Sequence, residues 1–180
     1  MTVVINLLAG SGAGKSTCAA DLFAKMKHQQ YHCELVTEYV KKWAWQSRKP
    51  TPFDQFYLAG KQSQSESQLY GKVDYIVTDS PIILSGFYEA YHLKREIVLP
   101  AVLNFLSFAQ EKGVVHKNFF LKRNKPFDPR GRFETAEQAV TVDLQLRDFL
   151  ESYSIPYTDV DVSDEYRPEF ILEFLRKEAL

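Results

Sequence analysis

The sequence predicts a three-layer α/β domain in which one five-stranded parallel sheet carries helices on both faces. The first observation behind this prediction is that short apolar runs alternate along the chain with segments of helical spacing. The second is a glycine-rich turn at residues 9–16, between the first apolar run and the first helical segment. A chain of 180 residues is long enough for one domain with a sizeable core. We therefore expect a single domain over residues 1–180.

Five apolar runs are the predicted strands of this sheet, at about residues 3–8, 32–37, 75–78, 118–122 and 157–162. In parallel sheets of this kind, ligands bind outside the carboxyl ends of the strands. The residues that follow each strand are therefore the first place to look for chemistry.

The helices between these strands are predicted from apolar spacing and from residues that favour helix ends. Pro100 and Pro168 suit the first turn of a helix, Thr135 can cap one, and Gly113 suits the end of one. The apolar positions at helical spacing fall into five groups: Cys18, Ala19, Leu22, Phe23 and Met26; Phe53, Phe56 and Tyr57, with Gly60 on the same face; Val102, Leu103, Leu106 and Ala109; Val142, Leu146 and Phe149; and Phe170, Ile171, Phe174 and Leu175.

Composition limits the class of protein. Hydrophobic residues make up 45% of the chain and charged residues 25%, which is ordinary for a globular protein. No apolar run is long enough for a membrane span, and the N-terminus enters the first strand directly, which leaves no room for a targeting peptide. The only cysteines, Cys18 and Cys33, indicate a reducing, cytoplasmic setting without a structural disulfide. A net charge of −1 argues against broad nucleic-acid binding but is compatible with a local basic site.

Residues 9–16, with the sequence AGSGAGKS, predict a phosphate-binding loop. Its glycines let successive backbone N–H groups point inward, and the helix that follows adds its positive end. Lys15 would bring charge to the β- and γ-phosphates of ATP, and the Ser16 hydroxyl is placed to ligate Mg²⁺. Ala9 replaces the usual first glycine, and the alternative interpretation is a glycine-rich turn with a lysine by chance. The predicted nucleotide-binding residues are Gly10, Ser11, Gly12, Ala13, Gly14, Lys15, Ser16 and Thr17.

Asp79 follows the third predicted strand, within the sequence TDSP at residues 78–81. An acidic residue at the end of a buried strand, in a chain with a phosphate-binding loop, is expected to hold Mg²⁺ directly or through water. The alternative is a helix cap, because Asp-Ser-Pro is also a turn and cap sequence. We predict that Asp79 and Ser16 together hold the metal.

Glu38 follows the second predicted strand, and its carboxylate would face the acceptor side of the site, away from the ATP triphosphate. A carboxylate there could accept the proton of an attacking hydroxyl, as a general base must from hydrogen-bond distance. The alternative is a solvated charge in the first turn of a helix, where Glu is favoured.

The segment 117–132 is strongly basic and is rich in Pro and Gly near its centre. Only Asp128 opposes its six basic residues, which are Lys117, Lys122, Arg123, Lys125, Arg130 and Arg132. A basic loop after the fourth strand is suited to act as a lid that excludes water and brings arginines onto the transferring group. Arg123, Arg130 and Arg132 are the candidates, because a planar guanidinium binds phosphate through two hydrogen bonds. The alternative is a solvated surface loop.

Other polar and aromatic residues give weaker indications. Trp43 and Trp45 could stack on a base, although large aromatic residues more often belong to a core or wall. The four histidines show no metal-ligand spacing, which argues against a zinc site. Four glutamines of one helix could bind a base edge, but they are also common on exposed helices: Gln55, Gln62, Gln64 and Gln68.

Together these features resemble the small nucleoside and nucleotide kinases of the P-loop superfamily. That group includes the deoxyribonucleoside kinases and the nicotinamide-riboside-kinase-like ATPases, many of them from phages. The resemblance covers most of the chain and rests on four segments: AGSGAGKS at 9–16, TEYVKKW at 37–43, TDSP at 78–81 and KRNKPFDPRGRFET at 122–135.

The resemblance implies a P-loop NTPase fold with a short basic lid at about 123–134, and ATP with Mg²⁺ as cofactors. It implies that Glu38 activates the acceptor hydroxyl, that Asp79 is associated with Mg²⁺, and that the catalytic set also includes Lys15 and the lid arginines. The chain departs from the deoxyribonucleoside kinases at residues 80–81, where Ser-Pro replaces the Arg that usually follows the acidic residue. Their acceptor specificity therefore does not transfer directly.

Three functions are compatible with these observations. The first is a kinase that moves the γ-phosphoryl group of ATP to a hydroxyl or phosphate of a nucleoside, nucleotide or related small acceptor. The second is an ATPase that acts on or is regulated by a partner protein, although such ATPases usually need an arginine from a neighbouring subunit. The third is a kinase whose acceptor hydroxyl lies on a modified base or an end in DNA. The internal basic lid favours the first, no membrane partner is expected, and a homodimer is left open.

Overall fold

One parallel sheet forms the centre of the protein. The computed structural model describes residues 1–124, 126–130 and 134–178. The strands are β1 (Thr2–Leu8), β2 (Cys33–Val36), β3 (Tyr75–Thr78), β4 (Val114–Leu121) and β5 (Thr158–Val160). Within the described residues they lie in the order β2-β3-β1-β4-β5, and every neighbouring pair is parallel. The five-stranded parallel sheet of the prediction is confirmed.

Helices cover both faces of this sheet. They are α1 (Lys15–His28), α2 (Lys41–Trp45), α3 (Gln55–Ser67), α4 (Ile83–Leu93), α5 (Leu99–Glu111), α6 (Ala136–Ser152) and α7 (Arg167–Glu178), with short 3₁₀ turns at Pro52–Asp54 and Asp164–Tyr166. The core beneath α1 and α7 lies on one face, and the core beneath α4, α5 and α6 lies on the other. The result is a three-layer α/β fold.

The central strand β1 shows why both faces are covered. Ile5 and Leu7 belong to the core beneath α1 and α7, whereas Val4 and Leu8 pack toward the opposite face. Successive side chains of a strand point to opposite faces, so a run that is apolar at nearly every position must be buried on both sides. The apolar run at the start of the chain therefore predicts a central strand, and β1 is one.

The predicted helix ends agree with the structure. Thr135 caps α6: its hydroxyl accepts from the N–H of Gln138, and the Gln138 side chain accepts from the N–H of Thr135. Pro100 lies in the first turn of α5, and Gly113 follows that helix with a φ of 80°, which a glycine adopts without strain. Pro168 is the second residue of α7.

The structure corrects the bounds of several predicted elements. β4 begins at Val114 rather than at residue 118, because it pairs with β1 along the whole of β1, from Thr2 opposite Val114 to Leu8 opposite Phe120. β2 and β5 are shorter than predicted. Helix α4 was not predicted. No side chain of the described residues caps it, and it buries Ile83, Leu84 and Phe87.

Helix α3 buries the face opposite to the one that carries its aromatic residues. Phe53, Phe56, Tyr57 and Gly60 do share one face, but that face is exposed to solvent. The buried residues on and around the opposite face are Gln55, Leu58, Ala59, Gln62 and Glu66. Polar side chains on this face line the cleft described below, which is why the apolar pattern alone gives the wrong inner face.

Two further observations concern the helices and the cysteines. Within the described residues, no helix combines the length and the apolar character that a bilayer span requires. Cys18 and Cys33 are buried thiols in the core beneath α1.

Candidate active site

A cleft of about 620 Å³ opens at the carboxyl ends of β1, β2 and β3. The loop between β1 and α1 forms one wall, and Glu38 and Asp79 extend it from the ends of β2 and β3. Helices α3 and α4 form the opposite side, and Pro126, Asp128 and Glu134 of the predicted lid segment also line the cleft. Ligands of parallel α/β sheets bind at this edge.

The loop between β1 and α1 has the geometry of an anion site. Gly12 and Gly14 adopt φ angles of 75° and 96°, where a side chain would be strained. α1 begins at Lys15, its first turn holds no acidic residue, and no side chain of the described residues caps it. The Ser11 hydroxyl is buried and has no hydrogen-bond partner within the same residues. Backbone N–H groups and a buried hydroxyl are therefore left for a ligand, and a phosphate chain fits them.

Lys15 lies beside its own loop. Its Nζ donates to the carbonyl oxygens of Ala9 and Gly10, at 2.7 and 2.9 Å. This arrangement keeps the positive charge next to the anion site, and the flexible side chain can turn toward a phosphate without movement of the backbone.

Not all predicted nucleotide-binding residues face the cleft. Those that line it are Ser11, Gly12, Gly14, Lys15, Ser16 and Thr17. Gly10 instead donates its N–H to the Asp143 carboxylate of α6, and Ala13 is buried. These two positions hold the loop in place from behind.

Glu38 and Asp79 meet because β2 and β3 are neighbours in the sheet. Val36 pairs with Thr78 at the ends of these strands, so the residues just beyond them lie side by side. The Glu38 N–H donates to Asp79 Oδ1 at 3.0 Å. Asp79 does not cap a helix, since α4 begins at Ile83 and no described side chain caps it. Glu38 precedes α2 rather than lying in its first turn, so neither alternative role matches the structure.

The oxygens predicted to hold Mg²⁺ are both present in the cleft. Ser16 and the buried Asp79 line it, and a hydroxyl with a carboxylate is a ligand pair that Mg²⁺ uses. Within the described residues, no group of three or more His, Cys, Asp or Glu side chains could hold a metal. The residues fit Mg²⁺, which commonly takes one or two protein ligands and completes its shell with phosphate and water. Lys41, which the sequence analysis did not single out, lies here too, with Nζ 3.5 Å from Ser16 Oγ.

Helices α3 and α4 form the far half of the cleft with residues that the sequence analysis ranked low or missed. Gln55 and Gln62 of α3 are nearly buried, and Gln62 Nε2 lies 3.4 Å from Thr78 Oγ1. Tyr88 and His92 of α4 line the cleft one helical turn apart, with their rings stacked at 6.1 Å. The sequence signal was the spacing of four residues between Tyr88 and His92, which places both on one face of a helix. This signal was missed because α4 itself was not predicted.

The electrostatics of this half favour neutral hydrogen-bonding groups. Burial raises the pKa of Tyr88 well above its ordinary value, and the nearby carboxylates of Glu134 and Glu38 add to the rise. Burial lowers the pKa of His92, and the opposing effect of Glu134 is smaller. At neutral pH the tyrosine therefore keeps its proton and the histidine is uncharged.

The described lid residues that face the cleft are Pro126, Asp128 and Glu134, and no lid arginine is among them. Arg130 is exposed and is held by Asp128, with Nη2 and Oδ2 2.7 Å apart. Arg132 lies outside the described residues. The predicted grouping of the lid arginines around the cleft is therefore not seen for Arg130, because a local ion pair holds its guanidinium.

Arg123 lies behind the phosphate loop. Its Nη2 pairs with Asp143 Oδ2 at 2.9 Å, and its Nη1 is buried without a hydrogen-bond partner within the described residues. A Cβ added at Gly12 would lie 3.4 Å from this Nη1 and 2.7 Å from the ring of Phe127. The lid segment and the phosphate loop are thus in contact at Gly12, close to this guanidinium nitrogen of Arg123.

A comparison with protein families settles the membership of the chain. A family model described as an AAA domain matches residues 4–167. The chain belongs to this AAA-domain family. A sequence comparison with curated proteins finds no significant match.

Solved structures share the fold of this AAA-domain protein. Deoxyadenosine kinase from M. mycoides with bound dATP superimposes with a TM-score of 0.60 at 17% identity, over 96% of this chain and 98% of that one. The same enzyme with dCMP and dCDP gives 0.63 at 17%, over 98% and 100%. The APS kinase of Mycobacterium tuberculosis gives 0.53 at 12%, over 97% of each. These superpositions establish the P-loop NTPase fold, and at such low identity they establish the fold alone. The neighbours are nucleoside and nucleotide kinases.

Arg167 is a further residue at the site of this AAA-domain protein that the sequence analysis missed. It is fully buried, and its Nη1 donates to Ala13 O of the phosphate loop at 2.8 Å. Its Nη2 donates to Lys122 O and to Asn124 Oδ1, at the base of the lid. One guanidinium group therefore joins the phosphate loop to the lid. A lone arginine before a proline carries no sequence signal for such a role.

Proposed function

We propose that the protein is an ATP-dependent phosphotransferase that moves the γ-phosphoryl group of ATP to a hydroxyl or phosphate of a nucleoside- or nucleotide-like acceptor. The observation that carries the proposal is that one cleft contains both the phosphate loop and the Glu38 carboxylate, with further room between α3 and α4. The neighbouring kinases of the same fold support it.

The phosphate loop would bind the triphosphate. The left-handed glycines and the open start of α1 direct N–H groups toward it, and Lys15 would turn from its loop carbonyls to the β- and γ-phosphates. Ser16 and Asp79 would hold Mg²⁺, which neutralises charge on the phosphates when bound. Lys41, close to Ser16, would add a second positive charge beside the transferring group.

Glu38 would act as the general base. The acceptor oxygen forms a new bond to the γ-phosphorus, the bond from that phosphorus to the β-phosphate oxygen breaks, and ADP leaves. The proton of the acceptor hydroxyl passes to the Glu38 carboxylate. The Asp79 carboxylate accepts the Glu38 N–H, so it also positions the backbone that carries this base.

Lid closure would complete the site. Arg123 lies behind the loop, and among the described residues one of its buried nitrogens has no hydrogen-bond partner. Arg130 can reach the cleft only if it leaves Asp128. We propose that these arginines and Arg132 bind the transferring phosphoryl group when both substrates are present and water is excluded.

The decisive experiment measures ADP release with and without acceptor for the wild type and Glu38→Gln. Transfer should fall by roughly two to four orders of magnitude, the range for a lost general base. ATP binding and the slow acceptor-independent hydrolysis should survive, because the phosphate loop is untouched. Glu34→Gln is the matched control: Glu34 lies on β2 and pairs with Lys27 outside the cleft, so its loss should leave transfer unchanged. Equal loss of transfer and hydrolysis in Glu38→Gln would refute the assignment and favour an ATPase without an acceptor.

A further inference from the structure

Exposed aromatic side chains lie on the same stretch of chain that supplies Ala44, Lys49 and Gln55 to the cleft lining. Trp45, Phe53, Phe56 and Tyr57, here called the aromatic rim, are 70%, 94%, 63% and 47% exposed. They come from α2, the 3₁₀ turn and the start of α3. Large aromatic residues clustered on a surface commonly mark a binding site.

The aromatic rim is continuous with the wall of the cleft. The Tyr57 hydroxyl shares a hydrogen bond of 2.6 Å with the hydroxyl of Tyr39, and Tyr39 lines the cleft. The Tyr57 ring is stacked on Trp43 at 6.2 Å, and the Arg48 guanidinium lies 3.7 Å above Trp43. Tyr57 therefore connects the aromatic rim to the wall of the cleft.

The same segment is strongly basic. Residues 39–53 contain Lys41, Lys42, Arg48 and Lys49 and no acidic residue, although the whole chain has a net charge of −1. Lys41 and Lys49 line the cleft and Lys42 is exposed. Asp54 follows the segment and pairs with Arg48 at 3.1 Å. Positive charge is thus concentrated where the aromatic rings are exposed.

Helix α3 separates two different surfaces. Gln55, Leu58 and Gln62 face the cleft, while Phe56 and Tyr57 face outward. Beyond them, a Cβ placed at Gly60 would meet nothing within 4 Å among the described residues. The outer face of α3 is therefore open beside the exposed rings of Phe56 and Tyr57.

Rings with interleaved positive charge match a single-stranded nucleic acid, whose bases stack on aromatic side chains and whose phosphates pair with lysines and arginines. A second copy of the chain fits less well, because a two-fold contact through the rim would place its lysines against the same lysines of the partner. The polar, basic setting of the rings likewise favours a charged polymer over an apolar partner surface.

We propose that the acceptor is part of a single-stranded nucleic acid, which docks on the aromatic rim and on Lys42 and Lys49 and delivers a hydroxyl into the cleft. This inference rests on the proposed phosphotransferase function. It specifies the acceptor as a nucleotide within or at the end of a strand rather than a free nucleoside.

The first test measures docking without ATP, so that it does not depend on catalysis. Fluorescence anisotropy with a labelled oligothymidylate should show binding that is weakened about tenfold by Trp45→Ala, Phe53→Ala or Phe56→Ala, the usual effect of one lost stacking residue. Phe108→Ala, which removes a ring of similar exposure on α5, should change nothing. Lys42→Ala should reduce the slope of log affinity against log salt by about 0.7. Melting temperatures confirm that each variant is folded.

The second test measures transfer of labelled γ-phosphoryl groups to the oligonucleotide and to free nucleosides. Preferential labelling of the oligonucleotide, reduced by the rim variants, is the expected result. Transfer to free nucleosides alone, with no oligonucleotide binding, would overturn this inference and leave the proposed function standing. Rim-dependent binding with no transfer to any acceptor would instead overturn the proposed function.

Three further outcomes would overturn the docking surface itself. The first is that duplex DNA binds as tightly as the single strand. The second is that anionic lipid vesicles bind and the rim variants abolish that binding. The third is that the protein sediments as a dimer, the rim variants convert it to a monomer, and the oligonucleotide does not bind.

Discussion

Replacement of Arg167 by methionine should destabilise the protein and weaken ATP binding together. Methionine is similar in length and fills much of the space of the side chain, but it cannot donate a hydrogen bond. Arg167 donates to Ala13 O in the phosphate loop and pairs with Asp164 Oδ1 at 2.6 Å. The variant therefore removes the donor to a buried carbonyl and the ion pair between Arg167 and Asp164.

The expected loss in free energy of unfolding is about 4–6 kcal/mol. An unsatisfied buried carbonyl costs about 1–3 kcal/mol, and removal of one partner of a buried ion pair costs about 3–5 kcal/mol. The lower part of the second range applies because Asp164 is 29% exposed and water can reach it. Arg167→Lys retains the charge but not the planar group, so it should lose less.

Urea unfolding followed by tryptophan fluorescence measures the change, because Trp43 is buried in the fold. Lys25→Met is the control: Lys25 pairs with Glu169 on the surface, where both side chains are 42% exposed, so its loss should cost about 1 kcal/mol or less. The Kd for ATP should rise in Arg167→Met and stay unchanged in the control. Similar losses in the two variants, or an unchanged Kd in Arg167→Met, would show that Arg167 does not join the phosphate loop to the lid.

Three other variants test separate parts of the structure. Glu89→Ala should cost about 2–3 kcal/mol in urea unfolding, because one carboxylate oxygen accepts three backbone N–H groups at the start of α5; a loss below 1 kcal/mol would contradict this role. Burial raises the pKa of Glu66 to about 7, so wild-type stability falls as pH rises from about 4.5 through 7. Glu66→Gln should therefore become more stable relative to the wild type over that range, and a melting-temperature difference that does not change with pH would refute this prediction. Gly12→Ala should weaken ATP binding, measured by calorimetry, because Gly12 has a φ of 75° and an added Cβ would meet the Phe127 ring. Adding Phe127→Ala should restore only part of the lost affinity for ATP, and full restoration would exclude backbone strain as a cause.

The parts of the fold that could be predicted are those set by local patterns. β1 is apolar at nearly every position, and only a strand covered on both faces buries such a run. Thr135 and Gln138 form a capping box from residues three apart, so no tertiary information is needed to place the start of α6. Helix α4 has no side-chain cap within the described residues, and the structure was needed to find it.

The orientation of α3 shows how an apolar pattern can mislead. Its aromatic residues predicted an apolar face, and the usual inference from such a face is burial. The helix instead buries Gln55 and Gln62, because its inner face borders the cleft, where polar groups are exposed to a ligand rather than to the core. Hydrophobic periodicity cannot distinguish a wall that faces a core from one that faces a binding site.

By itself, the sequence determined the phosphate loop, the parallel sheet and the strand ends at which Glu38 and Asp79 lie, because these depend on short segments and on the chemistry of glycine, lysine and carboxylates. Only the tertiary structure decided which side chains meet. The pairing of Val36 with Thr78 brings Glu38 to Asp79, Asp143 rather than a substrate holds Arg123, and Arg167 reaches the loop across more than half of the chain. Such contacts depend on strand order and helix packing, which no local pattern specifies.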